Sequence, residues 1–254
     1  MSTTVQEYSI DAIVDQMDEI IQRCIREGSK LGYFAVLYRN VTGKVRDEIK
    51  AGYFDDGERM KRLVVVFAGR YLEAIHEYWQ GGQPSRSWSV AFKAANLRFP
   101  IILQHLMLGM NAHINLDLAI ATAQTAPGPM LPAIKNDFQK IMDILSDMID
   151  TIEVRLETVS PSFKIIDRIG GRTDEKIAGF AIHEARDMAW TTAEKLAVAT
   201  PEEFKTKLEL HDELVSILAR GISNPPGILM RAALFLIQLR EGKNVPNTIN
   251  TLLK

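Results

Sequence analysis

Cysteine is nearly absent from this chain: Cys24 is the single one among 254 residues. One cysteine excludes a disulfide within the chain and a metal cluster built from thiolates. Because this usage is typical of a reducing compartment, we predict a cytoplasmic protein. Cys24 falls on the apolar face of a helical pattern, so we expect a buried, unreactive thiol rather than a nucleophile.

The chain also lacks an excess of charge of one sign. It has 30 Lys and Arg against 32 Asp and Glu, a net charge of −2. This balance gives no electrostatic reason to expect nucleic acid or a membrane as a partner. The N-terminal residues have neither a basic start nor an apolar stretch, so we expect no secretory signal. The most apolar segment, GILMRAALFLIQL (227–239), is too short to span a bilayer and is predicted to be a buried helix.

Strand patterns are missing as well. The one β-branched cluster, VVVF (64–67), lies within a helical pattern and has no turn signals beside it. Apolar residues recur at spacings of three and four along the whole chain, which indicates helices. Breaks are predicted at QGGQPS, TAPGPMLP, IGGRTD and SNPPG. We therefore predict one all-α domain over residues 1–254, a globular bundle of nine or ten helices.

Polar residues interrupt the apolar stretch HLMLGMNAHINLDLAIA (105–121). His113 and Asp117 are four residues apart and fall on the stripe that packs against neighbouring helices. Asn111 and Asn115, also four apart, lie on a flanking face. Gly109 costs a helix about 1 kcal/mol relative to alanine, which indicates that another group packs close to it.

Two interpretations of this cluster remain open. The polar side chains form a buried hydrogen-bond network that ties helices together, or they line a ligand-binding or catalytic pocket. In the second case His113 is the acid, base or ligand and Asp117 orients it, while Asn111 and Asn115 supply polar contacts. His105, Arg186 and Trp190 are further candidate ligand-binding residues, with Arg186 aimed at an anionic group or stacked on Trp190.

Metal binding is only weakly indicated. His105, His113 and Asp117 are the candidate ligands, but a spacing of eight residues between the two histidines matches no standard metal motif. EAIH (73–76) has the Glu-x-x-His pattern of di-iron bundles, yet those sites need a second copy, which the chain lacks. FDDGERM (54–60) could offer carboxylates, but Asp55 with Glu58 is better explained as a helix-capping pair. The sequence indicates no particular cofactor.

Several motifs together resemble those of a bacterial family of mostly helical proteins of unknown function. They are YFAVLYRNVT (33–42), FDDGERM, FAGRY (67–71), the Trp88 and Phe92 pair, LGMNAHINLDLA (108–119), Asp137 with Phe138, and RDMAW (186–190). The resemblance covers most of residues 30–195 and does not extend beyond Ala199. It implies a helical fold and supplies no activity or catalytic residue.

Two functional hypotheses follow. The first is an enzyme or binding protein with a small-molecule pocket inside the bundle, for which hydrolysis is one conceivable chemistry. The second is a non-catalytic helical scaffold or partner-binding protein, in which the polar cluster specifies helix packing. A cavity of several hundred Å³ lined by the cluster would favour the first hypothesis. The sequence does not indicate an oligomeric state.

Overall fold

The protein is described by a computed structural model over residues 9–162 and 174–254, and its side chains over 9–148, 151–162 and 184–254. The predicted break at IGGRTD lies outside the described residues. Ten helices and no strand occur in the described ranges, which confirms the all-α prediction. Their apolar faces share one hydrophobic core. No helix within these ranges is long and apolar enough to cross a membrane.

The helices follow the predicted breaks in the sequence. The fifth helix has three segments in continuous succession, and a short 3-10 helix, Gly128–Ile134, precedes the sixth. The bounds are α1 (Ile10–Glu27), α2 (Leu31–Lys50), α3 (Gly57–Trp79), α4 (Arg86–Ala94), α5 (Ile102–Met110, Asn111–Leu118 and Ala119–Thr125), α6 (Lys135–Val159), α7 (Asp174–Ala197), α8 (Pro201–Ser223), α9 (Ile228–Arg240) and α10 (Val245–Leu253).

The middle segment of α5, Asn111–Leu118, is a π-helix whose eight residues are all buried. A π-helix is wider than an α-helix, is rare, and is often found at functional sites. This segment packs against α3, α4, α7 and α8, so α5 runs through the centre of the bundle. The 3.6-residue pattern did not predict the π-helix. Because side chains four apart remain neighbours in it, the predicted pairing of polar residues still holds.

The N-terminus of α3 is capped by a different residue from the one predicted. We expected Asp55 with Glu58, but the side chain of Asp56 accepts the Arg59 N–H at 2.9 Å. The buried carboxylate of Asp137 on α6 accepts the N–H groups of Asp55 and Asp56 at 2.7 and 3.2 Å. FDDGERM and Asp137 thus connect α3 to α6. Negative charge at this position also stabilises the helix N-terminus.

One prediction at the C-terminal end is wrong. We expected residues 227–239 to form a buried helix, but α9 buries only Ala233 and Ile237 fully. Its exposed large apolar side chains are Ile228, Leu229, Phe235, Leu236 and Leu239. The following helix, α10, is capped by Asn244 and buries Ile249 against α2 and α6.

Candidate functional site

Asp117 is an acceptor for three donors from three helices. Its Oδ1 accepts Nε of Arg70 on α3 at 2.9 Å, and its Oδ2 accepts Nε1 of Trp88 on α4 at 2.8 Å. Oδ2 also lies 3.0 Å from Nδ1 of His113, one turn earlier in the same π-helix. The carboxylate is 1% exposed. The protein itself therefore satisfies Asp117, as buried charge requires.

The imidazole of His113 is held between aromatic rings. It stacks on Phe67 with centroids 3.7 Å apart and planes 9° apart, and its edge meets Tyr38 at 4.1 Å. Burial lowers the pKa of His113 below its ordinary value, although the hydrogen bond and charge of Asp117 oppose this shift. The ring is therefore neutral near pH 7. Since a carboxylate beside Arg70 can only accept, Nδ1 carries the proton and Nε2 keeps a lone pair.

Asn111 and Asn115 form a second chain of hydrogen bonds, which runs to α8. Asn111 Nδ2 donates to the carbonyl of Val215 at 3.0 Å, and Asn115 Nδ2 donates to Asn111 Oδ1 at 3.0 Å. The backbone carbonyl of Asn115 lies 2.8 Å from Nε2 of His211 on α8. The four polar residues predicted as one cluster are thus two side-chain pairs, one bonded to α3 and α4 and the other to α8.

Gly109 allows α2 to approach α5 closely, as the sequence predicted. A Cβ atom at this position would lie 2.3 Å from Cγ and Cδ2 of Phe34, far inside van der Waals contact. Phe34 also packs edge-on against His113, with centroids 5.9 Å apart. The glycine therefore lets the aromatic layer reach the imidazole.

A cavity of about 420 Å³ adjoins the cluster. Its buried end includes Tyr38, His113 and Asn115, whereas Gly221, Ile222 and Met230 at its other end are partly or fully exposed. The remaining walls are mostly apolar side chains of α2, α5, α6 and α9. This is the size of a small-molecule pocket. It is also the observation that we expected to favour a ligand over a purely structural cluster.

Two polar atoms in residues that line this cavity are fully buried and have no hydrogen-bond partner among the described residues. They are Nε2 of His113 and Oδ1 of Asn115. The hydroxyls of Tyr38 and Thr42 lie beside each other, and the interaction with Thr42 partly offsets the rise that burial causes in the pKa of Tyr38. A buried polar atom without a partner is uncommon in a native protein.

His105 lies apart from His113. It packs edge-on against Tyr33 at 5.7 Å and lines a second cavity of about 20 Å³, which is at the scale of a single water molecule. Phe34 lines both cavities and so lies between them. Burial first, and then the charge of Lys30, lowers the pKa of His105 to about 3, so this imidazole is also neutral.

Arg186 and Trp190 do not join the cluster. Nε of Arg186 bonds to the exposed carboxylate of Asp187 at 2.9 Å, and Nε1 of Trp190 donates to Glu194 at 2.7 Å. The cation over the Trp190 ring is Lys135, at 5.4 Å. Arg186 therefore neither stacks on Trp190 nor contacts the buried cluster, in which the arginine that pairs with Asp117 is Arg70.

Of the three metal candidates, only His113 and Asp117 are in contact with each other. Within the described residues, no group of three or more His, Cys, Asp or Glu side chains is arranged to hold a metal ion. The Phe34 ring separates His105 from His113 and Asp117. His76 of EAIH is exposed to solvent, beside the Trp79 ring. Cys24 is fully buried, and burial raises its thiol pKa to about 12, in agreement with an unreactive thiol.

Sequence reasoning missed the groups that complete the site. Arg70 and Trp88 belong to two motifs of the resemblance, FAGRY and the Trp88–Phe92 pair. The sequence around them does not indicate that they bond to Asp117. Tyr38 and Thr42 lie in YFAVLYRNVT, where their spacing is typical of ordinary core positions. His211 and Val215 lie beyond the segment that the resemblance covered.

Comparison with known proteins assigns the chain to a family. A family model described as "Family of unknown function (DUF5995)" matches residues 10–225. The match agrees with the resemblance and extends it at both ends, so that it includes all of α8. No curated protein and no solved structure matches the chain.

Proposed function

Because the chain belongs to this family of unknown function, we propose a function from its site: the protein binds an apolar small molecule in the 420 Å³ cavity. The apolar walls contact most of the ligand, and Tyr38, His113 and Asn115 border it at the buried end. The ligand enters from the side on which Gly221, Ile222 and Met230 are exposed.

One observation carries this proposal: a cavity of about 420 Å³ with mostly apolar walls lies beside the polar cluster and includes His113 and Asn115 among its lining residues. Small-molecule sites are typically clefts of this size that are mostly apolar with a few polar groups. A core packed for stability alone leaves few voids larger than a water molecule.

The scaffold hypothesis explains part of the same cluster. Asp117, Arg70 and Trp88 are satisfied by one another, and Asn111 bonds to α8. These residues specify how the helices pack. We therefore place the binding site beside this structural network. Within the cluster, only His113 and Asn115 have polar atoms without a hydrogen-bond partner.

General-base catalysis on the bound molecule is a second candidate function. The pair of Asp117 and His113 has the form of an orienting carboxylate with an imidazole whose Nε2 remains an acceptor. This arrangement is typical of a general base in hydrolases. A reaction of this kind predicts that His113→Gln retains binding and loses turnover.

A cytoplasmic location and a bacterial origin also stay proposals, supported by the single cysteine and the motif resemblance respectively.

The cavity can be tested with N-phenyl-1-naphthylamine, an uncharged fluorophore that brightens in apolar surroundings. We expect saturable binding to the wild type, and loss of binding in Val41→Phe, which places a ring in the cavity. Val65→Phe is the matched control, because Val65 packs against the core without lining the cavity. Circular dichroism would establish that both variants are folded. Unchanged binding in folded Val41→Phe would refute the proposal.

A further inference from the structure

The outer face of α9 is an apolar surface exposed to solvent. Its five large apolar side chains are between 49% and 83% exposed and, at about 100° per residue, share one side of the helix: Ile228, Leu229, Phe235, Leu236 and Leu239. An exposed apolar surface of this extent usually marks a contact with another protein or with a membrane. We propose that the outer face of α9 docks on a membrane surface that contains anionic lipids.

The length of α9 suits a helix that lies on a membrane. Its 13 residues extend about 20 Å, which is too short to cross the hydrocarbon core of a bilayer. A helix of this length can instead lie in the interface, with its apolar side chains among the acyl chains.

The exposed charges that border this face are basic. Arg231 borders the apolar stripe on one side and Arg240 on the other, and both are exposed. Arg98 and Lys243 are exposed in the segments next to α9, and Gln238 of α9 donates to the carbonyl of Arg98 at 3.3 Å. Arginines at the edge of an apolar stripe can bind anionic headgroups while their methylene groups stay on the apolar side.

Acidic side chains of the adjoining segments are already engaged. α9 itself has no Asp or Glu. The carboxylate of Glu241, directly after α9, accepts the N–H of Ile102 and the hydroxyl of Ser160. Glu153 and Glu157 on α6 each interact with another residue. The outer face of α9 therefore has a local basic border, although the whole chain has a net charge of −2.

The same charges disfavour a second copy of the chain as the occupant. A symmetric pair would bring the same face of both copies together. Arg231 and Arg240 of one copy would then lie near those of the other, and like charges across an interface oppose association. An anionic lipid surface complements these arginines instead.

α9 also connects this surface to the cavity, because Met230 and Leu234 on its other side line the cavity. Docking would place this wall of the cavity at the bilayer, from which an apolar ligand would enter without crossing water. Only this consequence rests on the proposed function. The docking itself depends on the outer face of α9.

Flotation with lipid vesicles tests the apolar contact. We expect the wild type to bind vesicles of equal parts phosphatidylcholine and phosphatidylglycerol, and Leu229→Gln/Leu236→Gln to bind them at least about tenfold more weakly. Val198→Gln is the matched control and should bind as the wild type does. Val198 is 72% exposed and lies next to the N-terminus of α8, a helix about 35 Å long whose other end leads to α9.

A second variant tests the charge. Arg240→Gln should bind these vesicles about fivefold more weakly, while its weaker binding to pure phosphatidylcholine stays unchanged. Arg62→Gln, which removes an exposed arginine of α3, is the control. Circular dichroism would establish that the variants are folded.

The outcomes separate docking from ligand binding. Wild type that does not bind the anionic vesicles, or binds them no better than folded Leu229→Gln/Leu236→Gln, would overturn the inference. A dimer in analytical ultracentrifugation that this double variant dissociates, without vesicle binding, would identify a second copy as the occupant and overturn it too. Binding of N-phenyl-1-naphthylamine without vesicle binding refutes docking alone. Vesicle binding without fluorophore binding supports docking and refutes the proposed function.

Discussion

Nδ1 of His113 lies 3.0 Å from Oδ2 of Asp117, an oxygen that also accepts the indole N–H of Trp88. The carboxylate thereby fixes the tautomer of the imidazole: Nδ1 carries the proton and Nε2 does not. That nitrogen is buried and has no hydrogen-bond partner among the described residues, and the His113 residue lines a cavity of about 420 Å³. The pair therefore connects the structural network of the bundle to its ligand site.

Replacing Asp117 should destabilise the fold. In Asp117→Asn the amide can accept from Arg70, but its NH₂ group then opposes the indole N–H of Trp88, and the Arg70 charge loses its counter-ion. We expect a loss of about 3 kcal/mol in the free energy of unfolding, measured in urea. Asp187→Asn removes the exposed carboxylate beside Arg186 and should cost less than about 1 kcal/mol. Equal losses in the two variants would contradict the network.

Gly109→Ala should destabilise the protein although alanine favours helices. The added methyl group would meet the Phe34 ring at 2.3 Å, and overpacking of this kind costs about 1–3 kcal/mol. Gly69 in α3 has no heavy atom within 4 Å of an added Cβ. Gly69→Ala should therefore be neutral or stabilise by up to about 1 kcal/mol. Thermal unfolding of both variants measures the difference, and a stable Gly109→Ala would show that Phe34 and α5 can separate freely.

The stability of the protein should fall as the pH drops below about 6.5, partly because of His105. Its pKa is about 3 in the folded protein, since burial and the Lys30 charge disfavour protonation. Between about pH 6.5 and 3 the unfolded chain binds one more proton at this residue, so the free energy of unfolding decreases by up to about 1.4 kcal/mol per pH unit. Above that range this contribution is complete. The lowered pKa of His113 acts in the same direction.

His105→Gln isolates this effect. The variant should lose less stability than the wild type between about pH 6 and about pH 4, with a slope smaller by close to one proton. His76→Gln is the control, because His76 is solvent-exposed and should leave the slope unchanged. Urea titrations at several pH values measure the slopes. An unaltered slope in His105→Gln would mean that His105 binds a proton in the folded protein.

Local pattern was enough to predict the helices and the polar pairs, because both depend on residues three or four apart. It gave His113 with Asp117 and Asn111 with Asn115 without knowledge of the π-helix, in which those pairs remain adjacent. It also gave the close approach at Gly109, since a glycine inside a helix has a cost that packing must offset. The unreactive Cys24 followed in the same way from its place on an apolar face.

The partners of these residues could not be predicted, because they come from distant parts of the chain. Arg70 and Trp88 lie 47 and 29 residues before Asp117, and Val215 lies 104 residues after Asn111. Arg186 was a candidate for an anionic group or for stacking on Trp190 because it is near the apolar border of its own helix, but Asp187 at the surface pairs with it. The exposure of α9 was missed for the same reason, since apolar composition alone does not determine which helix is covered.

The most direct test of the central claim is the NMR signals of the His113 ring during a titration with N-phenyl-1-naphthylamine, observed in protein with labelled histidine. We expect these signals to shift in a saturable way, because His113 lines the cavity. The signals of His105, which lines the second and much smaller cavity, should move far less. If the fluorophore binds and the His113 signals do not move, the ligand lies elsewhere and the proposed site is wrong.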